Sequence, residues 1–185
     1  MFQFASDKFN NTSVVVQQGI ELSSYEGRIY DLRVVVQKDE NSAWQVNLVS
    51  MRLAPYGSTI TNISIGGKEI VLPLHEIEQY IPQIKSENLI DFSKRCALAI
   101  ECFFGPQGVL GLDVGIDREG RLWLLEVNSK PCILDYLDLC NAQDAYKFYV
   151  SPVKYGLYLV KQDVDTVCKK LLYKYKLITE KPTML

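Results

Sequence analysis

Short β-branched runs dominate the first half of the chain and predict strands. Residues 13–20 (SVVVQQGI) and 28–38 (RIYDLRVVVQK) are rich in valine, isoleucine and tyrosine and are bounded by glycine or polar turns, a composition that favours strands. Residues 39–42 predict a turn, and 44–53 predict the strand that returns from it, so these segments form an antiparallel hairpin. Residues 54–68, which contain a proline and several glycines, predict a loop.

Helical periodicity appears in the second half. Residues 74–84 are weakly helical, whereas 88–104 predict a clear helix that Gly105 ends. Apolar positions recur along it at spacings of three and four and predict its buried face: Phe92, Cys96, Ala99, Ile100 and Phe103. Residues 152–177 predict a second long helix, whose lysine-rich last turn suits a helix C-terminus.

Between these helices, the stretch GLDVGIDREGRLWLLEVNSKP at 111–131 predicts a second hairpin, with strands at 109–116 and 121–127. No repeat, low-complexity segment or linker interrupts the chain. The pattern as a whole predicts one α+β domain over residues 1–185, with a mostly antiparallel sheet and helices packed on it.

Composition indicates which classes of partner are disfavoured as the main one, but it says little about the chemistry of the protein. The net charge is −2, with 20 basic and 22 acidic residues, which favours neither nucleic acid nor an anionic membrane as the main partner. No apolar run reaches the roughly 18 residues of a membrane span. Five scattered cysteines without a CxxC motif favour a reducing cytoplasm over a disulfide framework.

Three oxygen-bearing side chains converge in the second hairpin. Side chains alternate along a strand, so Glu126 and Asn128 share one face. Asp113 and Glu126 are equidistant from a turn centred on residues 119–120, which places them on the same face of the two strands. The same alternation places three apolar neighbours on the opposite face: Val114, Leu125 and Val127.

Two facing carboxylates repel each other unless a positive charge lies between them. A hard divalent cation such as Mg²⁺ meets this need, because it takes one or two carboxylates and leaves its other positions to water and phosphate. The alternative is a solvated polar face without a ligand. For Asp117, Arg118 and Glu119, the pattern indicates turn chemistry.

The pattern D-x12-E-x-N followed by SKP resembles the metal-binding end of ATP-grasp enzymes, and most closely the YheC/YheD-like, endospore coat-associated group. Four collinear stretches carry the resemblance over about two-thirds of the chain. They are VVVQQGIEL, YDLRVVVQKD, WQVNLVSMRLAPYGSTITNISIGGK and GLDVGIDREGRLWLLEVNSKP.

The resemblance implies a site for ATP and for one or two Mg²⁺ ions held by Asp113, Glu126 and Asn128. It implies that Asp31 contacts ribose, with Glu21 as a competing candidate, because a carboxylate accepts hydrogen bonds from hydroxyls. It also implies an adenine hinge at residues 14–21, which contains Gln17, Gln18, Gly19 and Ile20.

Arg33 and Arg52 match arginines that meet the terminal phosphates or the acyl-phosphate, since guanidinium groups suit phosphate oxygens. The alternative for each arginine is a surface salt bridge. The resemblance further implies a phosphate-side loop formed by Asn62, Gly66 and Gly67, in which glycine lets backbone amides approach phosphate. Lys130 faces either the substrate or solvent.

The chain matches only the C-terminal half of an ATP-grasp domain and lacks the N-terminal lid subdomain. This leaves three explanations: a fragment, a partner for a separately encoded N-terminal half, or a degenerate relative. A homodimer that covers the exposed half-clamp face is a further expectation.

Two main functions and a minor third remain open. The first is ATP-dependent carboxylate–amine ligase chemistry through an acyl-phosphate, with unknown carboxylate and amine substrates. The second is a non-catalytic, structural spore-coat-associated protein that keeps the ATP-grasp shape. The third is a divalent-metal protein that does not use a nucleotide. The expected location is the cytoplasm. The resemblance adds spore association as an alternative.

Overall fold

The valine-rich segment at 28–38 forms the central strand of an antiparallel sheet. The computed structural model of the protein describes residues 17–61, 66–131, 142–162, 166 and 169–173. The strands are β1 (Ser24–Tyr25), β2 (Arg28–Lys38), β3 (Trp44–Leu53), β4 (Lys68–Val71), β5 (Val109–Ile116) and β6 (Leu122–Asn128). The helices are α1 (Ile77–Tyr80), α2 (Ser86–Phe104) and α3 (Ala142–Val160), with a 3-10 turn at Leu74–Glu76 before α1.

The sheet has the order β4-β3-β2-β5-β6, and β1 adds to β2. Every strand pair is antiparallel. The class is therefore α+β, as the sequence pattern predicts. No described helix has both the length and the apolarity needed to cross a membrane.

Most predicted elements are confirmed. The strands at 28–38, 44–53 and 109–116 match β2, β3 and β5 residue for residue, and the other hairpin strand is shifted by one residue. In the predicted strand at 13–20, residues 13–16 lie outside the described residues and 17–20 form no strand. The predicted loop at 54–68 ends in a strand that the pattern missed, β4, which pairs with β3.

The predicted C-terminal helix at 152–177 begins too late. The helix α3 already starts at Ala142, contains Pro152 and ends at Val160, so it does not continue through residues 161–162, which form a turn and a bend. Proline is favoured at the first turn of a helix, which made 152 an apparent start. Buried Phe148 and Tyr155 pack on either side of Pro152, and this packing offsets the backbone hydrogen bond that proline cannot donate.

The predicted buried face of α2 is also displaced. The fully buried positions are Leu89, Ser93, Ala97 and Glu101. Of the five residues expected there, Phe92, Cys96 and Ile100 pack at the edge of the contact, whereas Ala99 and Phe103 are exposed. Small side chains at 93 and 97 allow close approach to the sheet, and Glu101 is buried because it has an ionic partner.

The two faces of the sheet are covered differently. The even-numbered positions of β2, such as Leu32 and Val34, face α2 and form the main core together with residues such as Met51 of β3. On the opposite face, α3 covers only one end, where Phe148 packs on Val35 and Leu48. The other end of that face carries polar side chains from β2, β3 and β5, and α3 leaves it open.

A buried ion pair ties α2 to the end of β2. The Lys38 ammonium pairs with the Glu101 carboxylate, and their side chains are 3% and 1% exposed. Glu101 also accepts a hydrogen bond of 3.0 Å from Trp44 Nε1. The Lys38 Nζ lies 5.3 Å from the ring centroids of both Trp44 and Tyr155. The charges of Lys38 and Glu101 are therefore compensated by each other and by the neighbouring aromatic rings, although both side chains are buried.

We expect Lys38→Met to lower the free energy of unfolding by about 3–5 kcal/mol, because it leaves Glu101 charged, buried and unpaired. The double variant Lys38→Met/Glu101→Gln removes both charges and keeps an acceptor for Trp44, so it should cost clearly less. Urea denaturation of both variants measures the difference. Equal losses in the two variants would contradict this assignment of the cost.

Candidate functional site

The open end of the polar sheet face forms a cavity of about 580 Å³. It lies above β2, β3, β5 and β6 and is bounded on one side by the loop that follows β3. Its lining consists of Gln17, Leu22, Asp31, Arg33, Arg52, Thr59, Ile60, Thr61, Asp113, Leu125, Glu126 and Asn128. All six charged or amide-bearing residues singled out on the three long strands and β6 therefore surround one space.

Strand register brings these side chains together. Asp31 on β2 is opposite Arg52 on β3, and Arg33 on β2 is opposite Asp113 on β5. Asp113 is in turn opposite Glu126 on β6, as the hairpin pattern predicts. Side chains directly opposite on antiparallel strands lie about 5 Å apart at Cβ, so acidic and basic groups alternate across the sheet.

Arg52 is held in a fixed orientation by Asp31. Its Nε and one terminal nitrogen donate two parallel hydrogen bonds, both 2.7 Å long, to the two carboxylate oxygens of Asp31. Thr61 Oγ1 donates a third hydrogen bond of 2.6 Å to Asp31 Oδ2. Both oxygens of Asp31 are therefore engaged. A bidentate guanidinium–carboxylate pair fixes geometry as well as charge.

Asp113 lies between two arginines. Its Oδ2 is 2.8 Å from a terminal nitrogen of Arg52 and accepts a 3.3 Å hydrogen bond from Arg33. Its Oδ1 is 2.6 Å from Arg33 Nε, but the N–H does not point along this line, so neither buried atom has a hydrogen-bond partner. Asp113 Oδ1 is therefore in close ionic contact with Arg33 but accepts no directed hydrogen bond.

The charges in this cluster reinforce one another. Burial alone would lower the pKa of the Arg52 guanidinium, but the hydrogen bonds and negative charge of Asp31, together with Asp113, hold its pKa above the ordinary value. Arg52 is therefore cationic throughout the range in which proteins are folded. Three carboxylates and two guanidinium groups line the cavity, which leaves one net negative charge.

Glu126 and Asn128 complete the side of the cavity formed by β6. Within the described part of the chain, neither side chain forms a hydrogen bond or an ion pair, and Glu126 is exposed. Asp113 Oδ1, the Glu126 carboxylate and the Asn128 amide oxygen form a hard-oxygen donor set of the kind that suits Mg²⁺. No group of three or more His, Cys, Asp or Glu residues that could hold a metal occurs among the described residues, so water or phosphate would have to complete the shell.

The predicted position of Leu125 is wrong. A bulge between Asp113 and Val114 shifts the register, so Glu126 pairs with Asp113 and Leu124 with Val114. Leu125 has no partner in this ladder, and it lines the cavity instead of the opposite face. A bulge adds one residue to one strand and re-aims its side chain, which simple alternation cannot reveal.

Asp113 is flanked by a glycine on each side in its row on β5, and the remaining member of the row, Val109, packs at the end covered by α3. A Cβ at Gly111 would lie 2.9 Å from Pro131 Cβ, and a Cβ at Gly115 would lie 2.6 Å from Leu22 Cδ2. Pro131 and Leu22 occupy the space above the two glycines. They form walls on either side of the Asp113 carboxylate.

The predicted hinge divides between two cavities. Gln17 lines the main cavity, whereas Gln18, Gly19 and Ile20 line a neighbouring one of about 290 Å³ with Trp123. In the predicted phosphate-side loop, Asn62 lies outside the described residues. Gly66 and Gly67 are described but do not line the main cavity, and Gly66 has a positive φ of 95° with open space around its Cα.

The turn of the second hairpin has the structural role expected from its sequence. Asp117 Oδ1 accepts hydrogen bonds from the backbone amides of Glu119 and Arg121, and Oδ2 accepts bonds from Arg121 Nε and Trp123 Nε1. Although desolvation raises the pKa of Asp117, the hydrogen bonds from Trp123 and Arg121 lower it to about 2. Gly120 supplies the positive φ of the turn, 78°.

Sequence reasoning missed Thr61 and its neighbours Thr59 and Ile60. The segment GSTIT after β3 contains the signal, because hydroxyl side chains next to a charged strand end are suited to bond a buried carboxylate. That signal becomes specific only when register places Asp31 at the same edge of the sheet.

Comparison with known proteins identifies a family for the chain. The family model described as YheC/D like ATP-grasp matches residues 1–159. Among curated proteins, the Bacillus subtilis endospore coat-associated protein YheD is 29% identical over 126 residues, which cover 66% of this chain and 27% of YheD. The B. subtilis endospore coat-associated protein YheC is 22% identical over 150 residues, covering 80% of this chain and 41% of YheC.

A shorter stretch of the chain is similar to an enzyme. The D-alanine--D-alanine ligase of Pseudomonas entomophila is 41% identical over 56 residues, which cover 30% of this chain and 16% of the ligase. Thermotoga maritima N5-carboxyaminoimidazole ribonucleotide synthetase covers 75% of this chain and 31% of its own, with 11% identity and a TM-score of 0.40, too low to add to the assignment.

The chain spans less than half the length of the two B. subtilis relatives. The family match nevertheless extends over most of this chain, from its first residue to the end of α3. Together with the antiparallel sheet and the Asp113–Glu126–Asn128 hairpin, it establishes that the chain belongs to the YheC/D-like ATP-grasp family.

Proposed function

We propose that this chain supplies the Mg-ATP-binding part of an ATP-grasp site with carboxylate–amine ligase chemistry. The observation that carries the proposal is the single cavity in which Asp113, Glu126 and Asn128 face Arg33 and Arg52. One wall offers hard oxygen donors and the other offers guanidinium groups. A metal–phosphate complex needs both of these surfaces.

In this proposal, Asp113, Glu126 and Asn128 hold one or two Mg²⁺ ions. Magnesium, when bound, neutralises charge on the phosphates of ATP and on the group being transferred. The Oδ1 of Asp113, which accepts no directed hydrogen bond, and the exposed Glu126 carboxylate support this role. The single net negative charge of the cavity favours entry of a cation, and the resulting positive charge then favours the triphosphate.

Arg33 and Arg52 stabilise negative charge on the terminal phosphates. Both now neutralise Asp113, so binding of a metal at Asp113 frees guanidinium N–H groups to donate to phosphate oxygens. Arg52 stays oriented during this exchange because Asp31 and Thr61 hold it from the far side. Preorganised donors of this kind cost little reorganisation when charge develops.

The nucleoside end of ATP is assigned to the edge of the cavity near Gln17. Backbone groups of residues 17–20 hold adenine. Both Asp31 and Glu21 remain candidates for ribose. The structure favours a positioning role for Asp31, since both its oxygens are engaged, whereas Glu21 is exposed and pairs only loosely with Arg118 at 3.3 Å.

The reaction has two balanced steps. A substrate carboxylate oxygen attacks the γ-phosphorus of ATP, which releases ADP and forms an acyl-phosphate. An amine nitrogen then attacks the acyl carbon, expels inorganic phosphate and loses a proton to give an amide. The match to a D-alanine--D-alanine ligase supports this class, and the arginines and Asp113 contribute positioning and electrostatic stabilisation.

A second candidate function rests on the names of the two B. subtilis relatives, both endospore coat-associated. In this alternative, the chain is a non-catalytic, spore-associated protein that keeps the ATP-grasp shape. The convergence of Asp31, Asp113 and Glu126 with two arginines on one open cavity favours the first candidate, because a purely structural protein does not need this concentration of charge.

Calorimetric titration tests the metal assignment. Glu126→Gln keeps the shape of an exposed side chain but removes its charge, so Mg-ATP affinity should fall at least tenfold, while affinity for ATP without Mg²⁺ stays nearly constant. Asp113→Asn should also weaken Mg-ATP binding, but it should strengthen binding of ATP without Mg²⁺, because Arg33 and Arg52 lose the carboxylate that neutralises them. The matched control is Glu87→Gln on the exposed side of α2, which should bind as the wild type does. Equal Mg-ATP affinity in Glu126→Gln and wild type would remove Glu126 from the site.

The positioning role of Asp31 and Thr61 predicts a graded response. Thr61→Val should weaken Mg-ATP binding a few-fold and increase the mobility of the Arg52 Nε–H in NMR spectra, because Asp31 loses one of its anchors. Thr61→Ser keeps the hydroxyl and should restore both properties. Arg52→Lys cannot form the bidentate pair and should weaken binding about tenfold. Failure of Thr61→Ser to restore the Arg52 signal would contradict this role.

Product analysis tests the ligase chemistry itself. This chain, or a longer protein that contains it, should release ADP when mixed with Mg-ATP, a carboxylate substrate and an amine from a panel of amino acids and peptides. Arg33→Ala and Glu126→Gln should abolish the release. Absence of ADP across a broad panel, combined with tight Mg-ATP binding, would leave the nucleotide site standing and refute the ligase reaction.

A further inference from the structure

The outward face of α3 carries an apolar seam that its packing on the sheet does not use. The seam consists of Tyr146, Val150, Val153, Leu157 and Val160. Successive members are separated by four, three, four and three residues, the heptad spacing of a and d positions. Four of them are strongly exposed: Tyr146 64%, Val153 63%, Leu157 57% and Val160 85%.

The opposite face of α3 anchors the helix. Phe148 and Tyr155 are buried, and Ser151 Oγ accepts a 3.1 Å hydrogen bond from Asn47 on β3. The seam therefore belongs to a helix whose orientation is already fixed. It extends over 15 residues, from Tyr146 to Val160, and rises about 21 Å at 1.5 Å per residue, which is enough for about four turns of a second helix to pack along it.

One edge of the seam is uniformly basic. Lys147, Lys154 and Lys161 each follow a seam residue by one position, the heptad e position. No acidic residue occurs between 145 and 162 in the sequence. Glu40 approaches Lys154 at 3.5 Å, but a surface pair of this kind contributes little. The row of lysines thus extends along the whole exposed face.

The shape of the seam selects the kind of partner. An apolar face limited to a and d positions is the narrow seam of a coiled coil, whereas a helix that lies on a membrane presents a wider apolar face. A second copy fits poorly, because an antiparallel pair would bring the lysine rows of the two α3 helices together. A parallel pair would place them against Tyr149 and Gly156, which carry no negative charge.

We propose that the α3 seam docks an amphipathic helix of another protein, one with apolar a and d positions and glutamate or aspartate along the edge that faces Lys147, Lys154 and Lys161. The apolar seam supplies affinity and the lysine row selects the acidic partner. This surface is separate from the cavity, since none of its residues lines it. The proposal therefore stands or falls independently of nucleotide binding.

A pair of labelled synthetic peptides tests the proposal. One has three heptads with isoleucine and leucine at a and d and glutamate at e and g, so that charge repulsion keeps it monomeric. The other is identical except for lysine at e and g. In fluorescence anisotropy titrations with the 185-residue chain, the acidic peptide should bind at least tenfold more tightly than the basic one, and the difference should shrink as salt is added.

Variants connect this binding to α3. Leu157→Asp changes an exposed side chain, so the fold should persist by circular dichroism, while affinity for the acidic peptide should fall at least tenfold. Leu172→Asp, an exposed leucine outside the seam that is 61% accessible, is the matched control and should bind normally. The triple variant Lys147→Glu/Lys154→Glu/Lys161→Glu should prefer the basic peptide.

Three other results would each overturn the proposal. The first is equal affinity for both peptides, or acidic-peptide binding that Leu157→Asp leaves intact. The second is a concentration-dependent dimer in sedimentation that Leu157→Asp dissociates, which would make a second copy the occupant. The third is binding to phosphatidylserine vesicles that the acidic peptide does not displace, which would make a lipid surface the occupant.

Discussion

The open end of the sheet depends on one chain of ion pairs, in which Asp31, Arg52, Asp113 and Arg33 alternate in sign across β2, β3 and β5. Four charged side chains lie on three adjacent strands, three of them at most about one-tenth exposed. Isolated charges in such a setting would cost several kcal/mol each. Each one is retained because its neighbours carry the opposite sign, so the cluster holds together as a unit.

This alternation also distinguishes the two ends of the cluster. Asp31 is fully satisfied by Arg52 and Thr61 and forms the fixed end of the cluster. Asp113 is shared between two arginines and keeps one oxygen without a hydrogen bond, so it forms the exchangeable end. The apolar core on the other side, with Leu32, Val34 and Met51, keeps the strands in register while partners at the exchangeable end change.

Much of this arrangement could be predicted from the sequence, because β-branched runs and turn residues mark β2, β3 and β5, and parity across a short turn brings Asp113 opposite Glu126. The bulge that turns Leu125 into the cavity could not be predicted, since alternation assumes an unbroken ladder. The pairing of Asp31 with Arg52 was equally hidden. The resemblance gives Asp31 a role at the ribose and Arg52 a role at the phosphates. Only the register of β2 and β3 shows that the two side chains are direct neighbours. The start of α3 was misplaced because Pro152 is typical of a first helical turn, whereas buried neighbours hold it in the middle.

The glycines at 111 and 115 extend this lesson to positions that have no side chain at all. They flank Asp113 on its own face of β5, and the space above them belongs to Pro131 and Leu22. Two missing β-carbons therefore allow Pro131 and Leu22 to pack directly on β5 beside the Asp113 carboxylate. Substituting either glycine would push one of these side chains away, because the new Cβ would lie only 2.9 Å from Pro131 Cβ or 2.6 Å from Leu22 Cδ2. The surroundings of Asp113 thus depend on positions that carry no polar group.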